Sequence, residues 1–398
     1  MSDLLSVIVP DWHLLLPIGI VGTLSWSIRL IHKVLSTAYR PTTNDFRTTT
    51  SVVVPSFRED PDVPERCLDS WLAQRPTEVL VVLDVEDTEA LARLTARGDD
   101  ARLPVTSFPH EGKRSALGVG IRAVTGEVLV LCDSDILWRP GPLSFVQMPF
   151  ADPAVGAVGP GRNVYLPGSS AWRRVADRII DLRSPDHVLA TARVSAVVCV
   201  SGRTAAYRRS AVLPVLEHLE HAFLLGRRCI AGDDGRLTWL VLASGYRTVH
   251  QSGAGALAMF RGTLRAFCRQ GLLWRLPLVS QVTVLQILFT PVPRFAAVGY
   301  VAASGIQGRG RQARVLSLTW VLLGRAIRST GYLRRRPSDL LLLPLVAVGI
   351  TLVAVPIKTY ALSTMNEQGW QTRRADLTGG EGQDEASVVT ASAGTVTA

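Results

Sequence analysis

Lysine is almost missing from this chain: Lys33, Lys113 and Lys358 stand against forty arginines. Cysteine is sparse too. Cys67, Cys132, Cys199, Cys229 and Cys268 are scattered, odd in number and form no Cys-x-x-Cys. That pattern excludes a zinc ribbon and a disulfide scaffold, and it suits small core residues in a reducing compartment. No internal repeat is present, which excludes solenoids and propellers. The first apolar run has Asp3 and no Lys or Arg before it, so the basic start of a secretory signal is absent.

What the chain has in quantity is apolar sequence. Of its 398 residues, 47% are hydrophobic and mean hydropathy is +0.23. Residues 12–30 form a run of roughly membrane-spanning length. Arg29, Lys33, Arg40 and Arg47 lie at its end or just beyond, so the positive-inside rule puts the adjoining segment on the cytoplasmic side. Residues 282–303 and 339–362 read as further spans. Residues 315–327 are shorter and contain Arg325, consistent with a third span or an interfacial helix. The net charge of +10 is concentrated beside these segments, as expected for contact with anionic lipid. Nucleic acid is therefore not the expected partner.

Between about residues 48 and 250, strand-like and helix-like stretches alternate, which predicts a mostly parallel sheet with covering helices. Strands are expected at 51–55, 78–84, 104–108, 128–131 and 196–200. Helices are expected at 64–73, 112–124 and 237–243. Residues 375–398 lack apolar periodicity and read as a disordered tail.

Three of these strands end in polar groups. Pro55-Ser56-Phe57-Arg58-Glu59 closes the first, Asp84 closes the second, and Asp133-Ser134-Asp135 comes after the run Val128-Leu129-Val130-Leu131-Cys132. Ligands of open α/β sheets bind outside the carboxyl ends of the strands. Two carboxylates there suit Mg2+ or Mn2+, which share their remaining positions with phosphate oxygens, so a nucleotide diphosphate is the expected passenger. Phe57 can pack on a base, and Asp84 can accept from a base or ribose. Each of these residues also has an ordinary reading as a turn or cap residue.

Lys113 and Arg114 open a helix, where cations are slightly unfavourable unless an anion joins them. Gly232-Asp233-Asp234-Gly235 precedes the helix at 237–243. The two acids read either as an N-cap or as a carboxylate base for an acceptor hydroxyl. Arg269-Gln270-Gly271-Leu272-Leu273-Trp274-Arg275 lies in a basic amphipathic stretch at 260–276, an interfacial helix whose Trp274 can stack on a sugar ring.

Taken in order, these elements resemble the membrane-embedded family 2 glycosyltransferases of the hyaluronan, chitin and cellulose synthase type. The matching residues are Val52-Val53-Val54-Pro55 with Glu59, Asp84, Gly112-Lys113-Arg114, Asp133-Ser134-Asp135, Ser201-Gly202, Gly232-Asp233-Asp234, Gln270-x-x-x-Trp274 and Gly369-Trp370-Gln371-Thr372-Arg373. The resemblance implies a GT-A-type α/β domain with a mostly parallel central sheet, flanked by transmembrane helices. It divides the chain into an N-terminal helix and linker (1–47), a cytosolic catalytic domain (48–254), interfacial helices (255–280), a C-terminal membrane region (281–374) and the tail (375–398).

The same resemblance implies an inverting, processive synthase in the plasma membrane, using a UDP-sugar and Mg2+ or Mn2+ and extending a polysaccharide or glycan. Asp234, aided by Asp233, would be the base. Pro55, Phe57, Glu59, Asp84, Lys113, Arg114 and Asp133 would bind the nucleotide-sugar, and Asp135 with Asp133 would hold the metal. Ser201, Gly202, Arg269, Gln270 and Trp274 would face the acceptor, with Trp370 and Arg373 in gating. One departure stands out: the family motif is Gln-x-x-Arg-Trp, and Leu273 occupies the arginine position. That change favours a non-processive transferase adding one sugar to a lipid or glycan; an inactive subunit of a synthase complex is the third alternative.

Overall fold

A computed structural model of the chain describes residues 19–60, 62–97, 100–109, 111–224, 227–228 and 232–259, with scattered positions between 311 and 342. Its centre is an eight-stranded sheet of order β3-β2-β1-β4-β7-β6-β10-β5. In chain order the strands are β1 (Thr50–Ser56), β2 (Glu78–Asp84), β3 (Val105–Phe108), β4 (Val128–Cys132), β5 (Ile136–Trp138), β6 (Val155–Val164), β7 (Thr204–Arg208), β8 (Phe223–Leu224), β9 (Arg227–Arg228) and β10 (Arg247–Ala258). The β8–β9 pair is a separate ribbon. The helices used below are α1 (Gly19–Thr37), α2 (Asp62–Leu72), α3 (Thr88–Ala96), α4 (Lys113–Ala123), α5 (Leu216–Glu220) and α6 (Asp233–Ala243).

The first half is parallel. β1 pairs with β2 (Val53 with Leu80) and with β4 (Val53 with Leu131). Both faces of β1 are covered, which is why it is a continuous apolar run rather than an alternating one. Pro55 is tolerated in this central strand because β4 accompanies it only as far as Val53. Val52, Val54 and Val130 point to one face and pack with Leu68 and Trp71 of α2. Val53, Leu129 and Leu131 point to the other and meet Leu117 and Ile121 of α4, with Leu237 and Val241 of α6. Each such fully buried aliphatic side chain contributes about 1.5–3 kcal/mol. Gly120 lets α4 lie close: a Cβ there would stand 2.4 Å from Val53 Cγ1.

The second half departs from expectation. Residues 196–200 form only a single bridge, Ala196 to Thr248. The strand that enters the sheet is β7, antiparallel to β4 with Cys132 opposite Thr204. Running antiparallel, β7 brings its beginning to the ligand edge, so Ser201 and Gly202 reach that edge from the loop before it. β6 and β10 are parallel to each other, and β10 continues to Ala258, past residue 254. Cys67 and Cys132 are buried, but Cys199 is exposed and so is not the core residue expected.

α1 overlaps the end of the first apolar run, and Ile28, Leu30, Ile31 and Val34 are exposed on it. Lys33 donates to Asp186 at 3.0 Å, and the His32 and His187 rings meet edge to face. Among the described residues no helix is long and apolar enough to cross a membrane. The run at 282–303, most of 339–362, the interfacial stretch at 260–276 and the tail lie outside the described residues.

Candidate active site

The site forms where two helices begin. Gly112 precedes α4 with φ +99°, and Gly232 precedes α6 with φ +74°. Both conformations suit glycine, and each turns the next residue toward the carboxyl edge of the sheet. Lys113 is the first residue of α4, and Asp233 and Asp234 fill the first turn of α6, where acids complement the helix dipole. α6 thus starts earlier than its apolar periodicity indicated.

Lys113 Nζ donates to Asp133 Oδ1 at 2.7 Å and stands 3.2 Å from Asp233 Oδ2. The ammonium therefore bridges the end of β4 and the start of α6. The loop before β7 closes the other side. Asp133 N donates to Arg203 O at 3.2 Å, and Gly202 N donates to Asp234 Oδ2 at 3.3 Å. A Cβ on Gly202 would meet Asp233 Oδ2 at 3.3 Å, Asp234 Cβ at 3.4 Å and Lys113 Nζ at 3.6 Å. Gly202 is thus the wall against which all three side chains rest. Thr238 fastens the arrangement from behind: its hydroxyl donates to Asp234 O at 2.7 Å and accepts from Val200 N at 3.0 Å.

The electrostatics arise from this packing. Burial pushes the Lys113 ammonium toward neutrality, but Asp133 and Asp233 outweigh it and hold the pKa above the ordinary lysine range. Burial pushes the Asp234 carboxyl above its ordinary value, and the Asp233 charge adds to the rise. Lys113 and the amides of Gly235 and Gly202 oppose it without cancelling it. A buried carboxylate with a raised pKa, packed beside a second carboxylate, is the kind of perturbed group that clusters at functional sites.

The remaining predicted residues lie around this centre. Asp84 is buried at the end of β2, and its Oδ1 accepts from Glu86 N at 3.0 Å, closing the turn there. Arg58 ties that turn to the loop after β1. Its N–H reaches Asp87 Oδ2 at 3.0 Å, its guanidinium pairs with Glu86 at 2.7 Å, and it lies 5.1 Å from the Phe57 ring centroid. Asp135 is 1% exposed, and its charge, like that of Glu59, raises the already elevated pKa of the buried Cys67 thiol. Arg114 parts company with Lys113: buried, it donates to Leu219 O and Gly232 O, each at 3.2 Å. Arg269, Gln270, Trp274, Trp370 and Arg373 lie outside the described residues.

Sequence reasoning missed several supports. Trp71 donates to Ile136 O at 2.9 Å and Trp138 to Thr204 Oγ1 at 3.1 Å, pinning the chain just after Asp135. Arg203 and Thr238 also act through partners remote in sequence, so no local spacing marks them.

Asp133 and Asp135 supply hard oxygen donors suited to a divalent cation. Among the described residues no three His, Cys, Asp or Glu side chains gather closely enough to hold a metal by themselves. In nucleotide-dependent sites Mg2+ is held by one or two carboxylates and completed by substrate phosphates. The ammonium between Asp133 and Asp233 shows that this place attracts a cation. The donor set fits the ion.

Residues 47–275 match the family model described as "Glycosyltransferase like family 2". The chain is a family 2 glycosyltransferase. The glycosyltransferase is 29% identical over 343 residues to an N-acetylglucosaminyltransferase of Rhizobium leguminosarum bv. viciae, covering 81% of each chain. Against the N-acetylglucosaminyltransferase of Rhizobium meliloti it is 28% identical over 354 residues, 81% of this chain and 80% of the relative. Among solved structures it resembles a mannosyltransferase from Pyrobaculum calidifontis in complex with GDP-Man and Mn2+. The TM-score is 0.55 at 20% identity, covering 84% of this chain and 98% of the other. That likeness concerns the fold, a GT-A-like α/β domain with a curled, mostly parallel sheet.

Proposed function

We propose that the enzyme transfers N-acetylglucosamine from a UDP-linked donor, with inversion, to the hydroxyl of a growing glycan at the plasma membrane. The choice of sugar rests on the relatives named N-acetylglucosaminyltransferase, which align over four-fifths of their length. The catalytic assignment rests on one observation. Asp234 is a carboxylate with a raised pKa, packed against Asp233 and Gly202, in the group that Lys113 joins to Asp133.

In this reading Asp234 takes the proton of the acceptor hydroxyl. The hydroxyl oxygen bonds to the anomeric carbon from the face opposite the diphosphate, and the bond from that carbon to the phosphate oxygen breaks. Asp233 anchors Lys113, whose ammonium stays charged throughout and faces the departing diphosphate. Phe57 and Asp84 address the nucleoside, with Pro55 and Glu59 shaping that end of the pocket. Asp133 and Asp135 would hold a divalent cation, which when bound supplies positive charge to the leaving group. Ser201 and Gly202 line the acceptor side, with Arg269, Gln270 and Trp274 beyond and Trp370 with Arg373 in gating.

The catalytic domain faces the cytoplasm in this reading, with α1 held to the bilayer by its exposed apolar residues Ile28, Leu30, Ile31 and Val34. Processive extension with export through the enzyme's own helices is the leading form. Leu273, in place of the family's arginine, favours the alternative of a single transfer to a lipid or glycan.

The test is turnover of a panel of UDP-sugars by the full chain in lipid with Mn2+, with products sized on a gel. Asp234→Asn is expected to lower kcat by about 10²–10⁴-fold, the share that a positioned base supplies. A long N-acetylglucosamine polymer supports a synthase, and a single addition supports the alternative. Turnover with another sugar alone removes the donor assignment.

A further inference from the structure

Lys113 and Arg114 are adjacent on α4, and neighbouring helix residues do not face the same way. Lys113 turns to Asp133 and Asp233. Arg114 turns beneath them and is 3% exposed. Its Nη1 donates to Leu219 O, in α5, and its Nη2 to Gly232 O, each at 3.2 Å. One guanidinium thus fastens both ends of the segment that leads from α5 to the start of α6.

The carbonyl at the second end is the informative one. Gly232 is in the left-handed conformation, and its C=O also accepts the opening helical bond from Arg236 N at 3.3 Å. That carbonyl belongs to the peptide joining Gly232 to Asp233, so fixing it fixes the plane from which Asp233 and Asp234 project. Farther along the same helix, Arg122 pairs with Glu220 through both carboxylate oxygens, holding the end of α5. A Cβ on Gly118 would run into that carboxylate, so α4 and α5 are in close contact there.

We infer that Arg114 is a positioning residue for the base: it orients the Gly232–Asp233 peptide and so aims Asp234 at the acceptor hydroxyl, rather than binding the donor diphosphate. The inference rests on Asp234 being the base. It reassigns the arginine of the Gly-Lys-Arg motif from the donor to the acceptor half of the reaction, with Lys113 on the same helix serving the donor half.

The test compares Arg114→Met, Arg114→Lys and Asp234→Asn in the full chain in lipid nanodiscs. Arg122→Gln serves as a control that loosens α5 without touching Gly232. Three quantities are read: kcat against donor KM, the pH dependence of kcat/KM, and the Kd of UDP with Mn2+ by calorimetry. Arg114→Met should lower kcat by about 10–10²-fold, the sensitivity expected of a misplaced reacting group. Donor KM and the UDP Kd should stay within about twofold. The acid limb of the profile should move to lower pH, because burial is the main cause of the raised Asp234 pKa and a loosened Gly232 hydrates it. Arg114→Lys should recover part of kcat, and Arg122→Gln should leave the limb in place.

A rise in donor KM and UDP Kd with kcat retained would make Arg114 a diphosphate ligand and overturn the inference. So would loss of kcat with an unmoved acid limb in both Arg114 variants, which marks a role in folding alone. Where Arg114→Met does not bind UDP because it fails to fold, the Lys variant decides by the same criteria. Full turnover in Asp234→Asn refutes the base assignment itself, and the positioning role falls with it.

Discussion

Replacing Lys113 with Met keeps an unbranched stem but removes the only charge standing between Asp133 and Asp233 in the described site. The ammonium lies 2.7 Å and 3.2 Å from the two carboxylates, and the three side chains are 13–22% exposed. At an effective dielectric near 20, a pair about 3 Å apart attracts by about 5 kcal/mol before desolvation. Desolvation returns much of that, and breaking a buried pair costs about 3–5 kcal/mol in practice. Partial exposure puts this site at the lower end, about 3 kcal/mol. For a unit of about 150–250 residues, each kcal/mol corresponds to about 2–4 °C, so Tm should fall by about 6–12 °C.

The sign of the pH dependence can be fixed as well. The Lys113 pKa is raised in the folded state, so its stabilisation is fully present below the ordinary lysine pKa of about 10.4 and is lost as pH rises through the folded value. At pH 7 the wild type has all of it. The mutant has none of it, so its deficit should be the same at pH 7 and pH 9, both below the ordinary lysine pKa. Calorimetric scans of the full chain in nanodiscs at these two pH values measure the deficit and its constancy, and saturating Mn2+ should stabilise the mutant more than the wild type. A Tm within about 2 °C of wild type at pH 7, or a deficit that disappears by pH 9, would refute the account of Lys113 as the charge that holds the site together.

Asp234→Asn should raise Tm at pH 7 while lowering kcat by about 10²–10⁴-fold. Its folded pKa is raised, so ionisation costs stability above that value, and the gain should vanish below the ordinary aspartate pKa of about 3.9; a mutant less stable than wild type at pH 7 contradicts the burial argument. Gly202→Ala should leave Tm nearly unchanged, because its Cβ contacts of 3.3–3.6 Å need only a few tenths of an ångström of relief. That relief moves Asp233 and Asp234, so kcat should fall about threefold to tenfold, and Gly202→Val by about 10²-fold or more; steady-state rates equal to wild type for Val would remove Gly202 from the site wall.

The first, parallel half of the fold is legible in the sequence for a physical reason. β1, β2 and β4 are buried on both faces, so each is an uninterrupted apolar run, and each ends where polar residues begin. The second half is not. β7 (Thr-Ala-Ala-Tyr-Arg) is small and mixed, and β6 carries Gly156, Gly159, Pro160 and Gly161 in a ten-residue strand. Both exist because of their neighbours across the sheet, which no local window contains. Residues 196–200 look like a strand because Val197 and Val200 are buried, yet they pack as a loop. The grouping of Lys113, Asp133, Asp233 and Asp234 was approachable from strand ends and helix starts. The turning away of Arg114 was not, since it depends on carbonyls more than a hundred residues downstream.

The reversed direction of β7 also means that the site is assembled from two separate stretches of the chain. Lys113, Asp133 and Asp135 lie in one unbroken stretch ending near Trp138, while the loop before β7 and the start of α6 come from a later stretch that meets it beside β4. The ties across that seam near the site include Lys113 with Asp233, Arg114 with Gly232, Asp133 with Arg203 and Trp138 with Thr204. The site therefore exists only once these two stretches have met, and it forms with the long-range pairing of β4 and β7 rather than within either stretch alone.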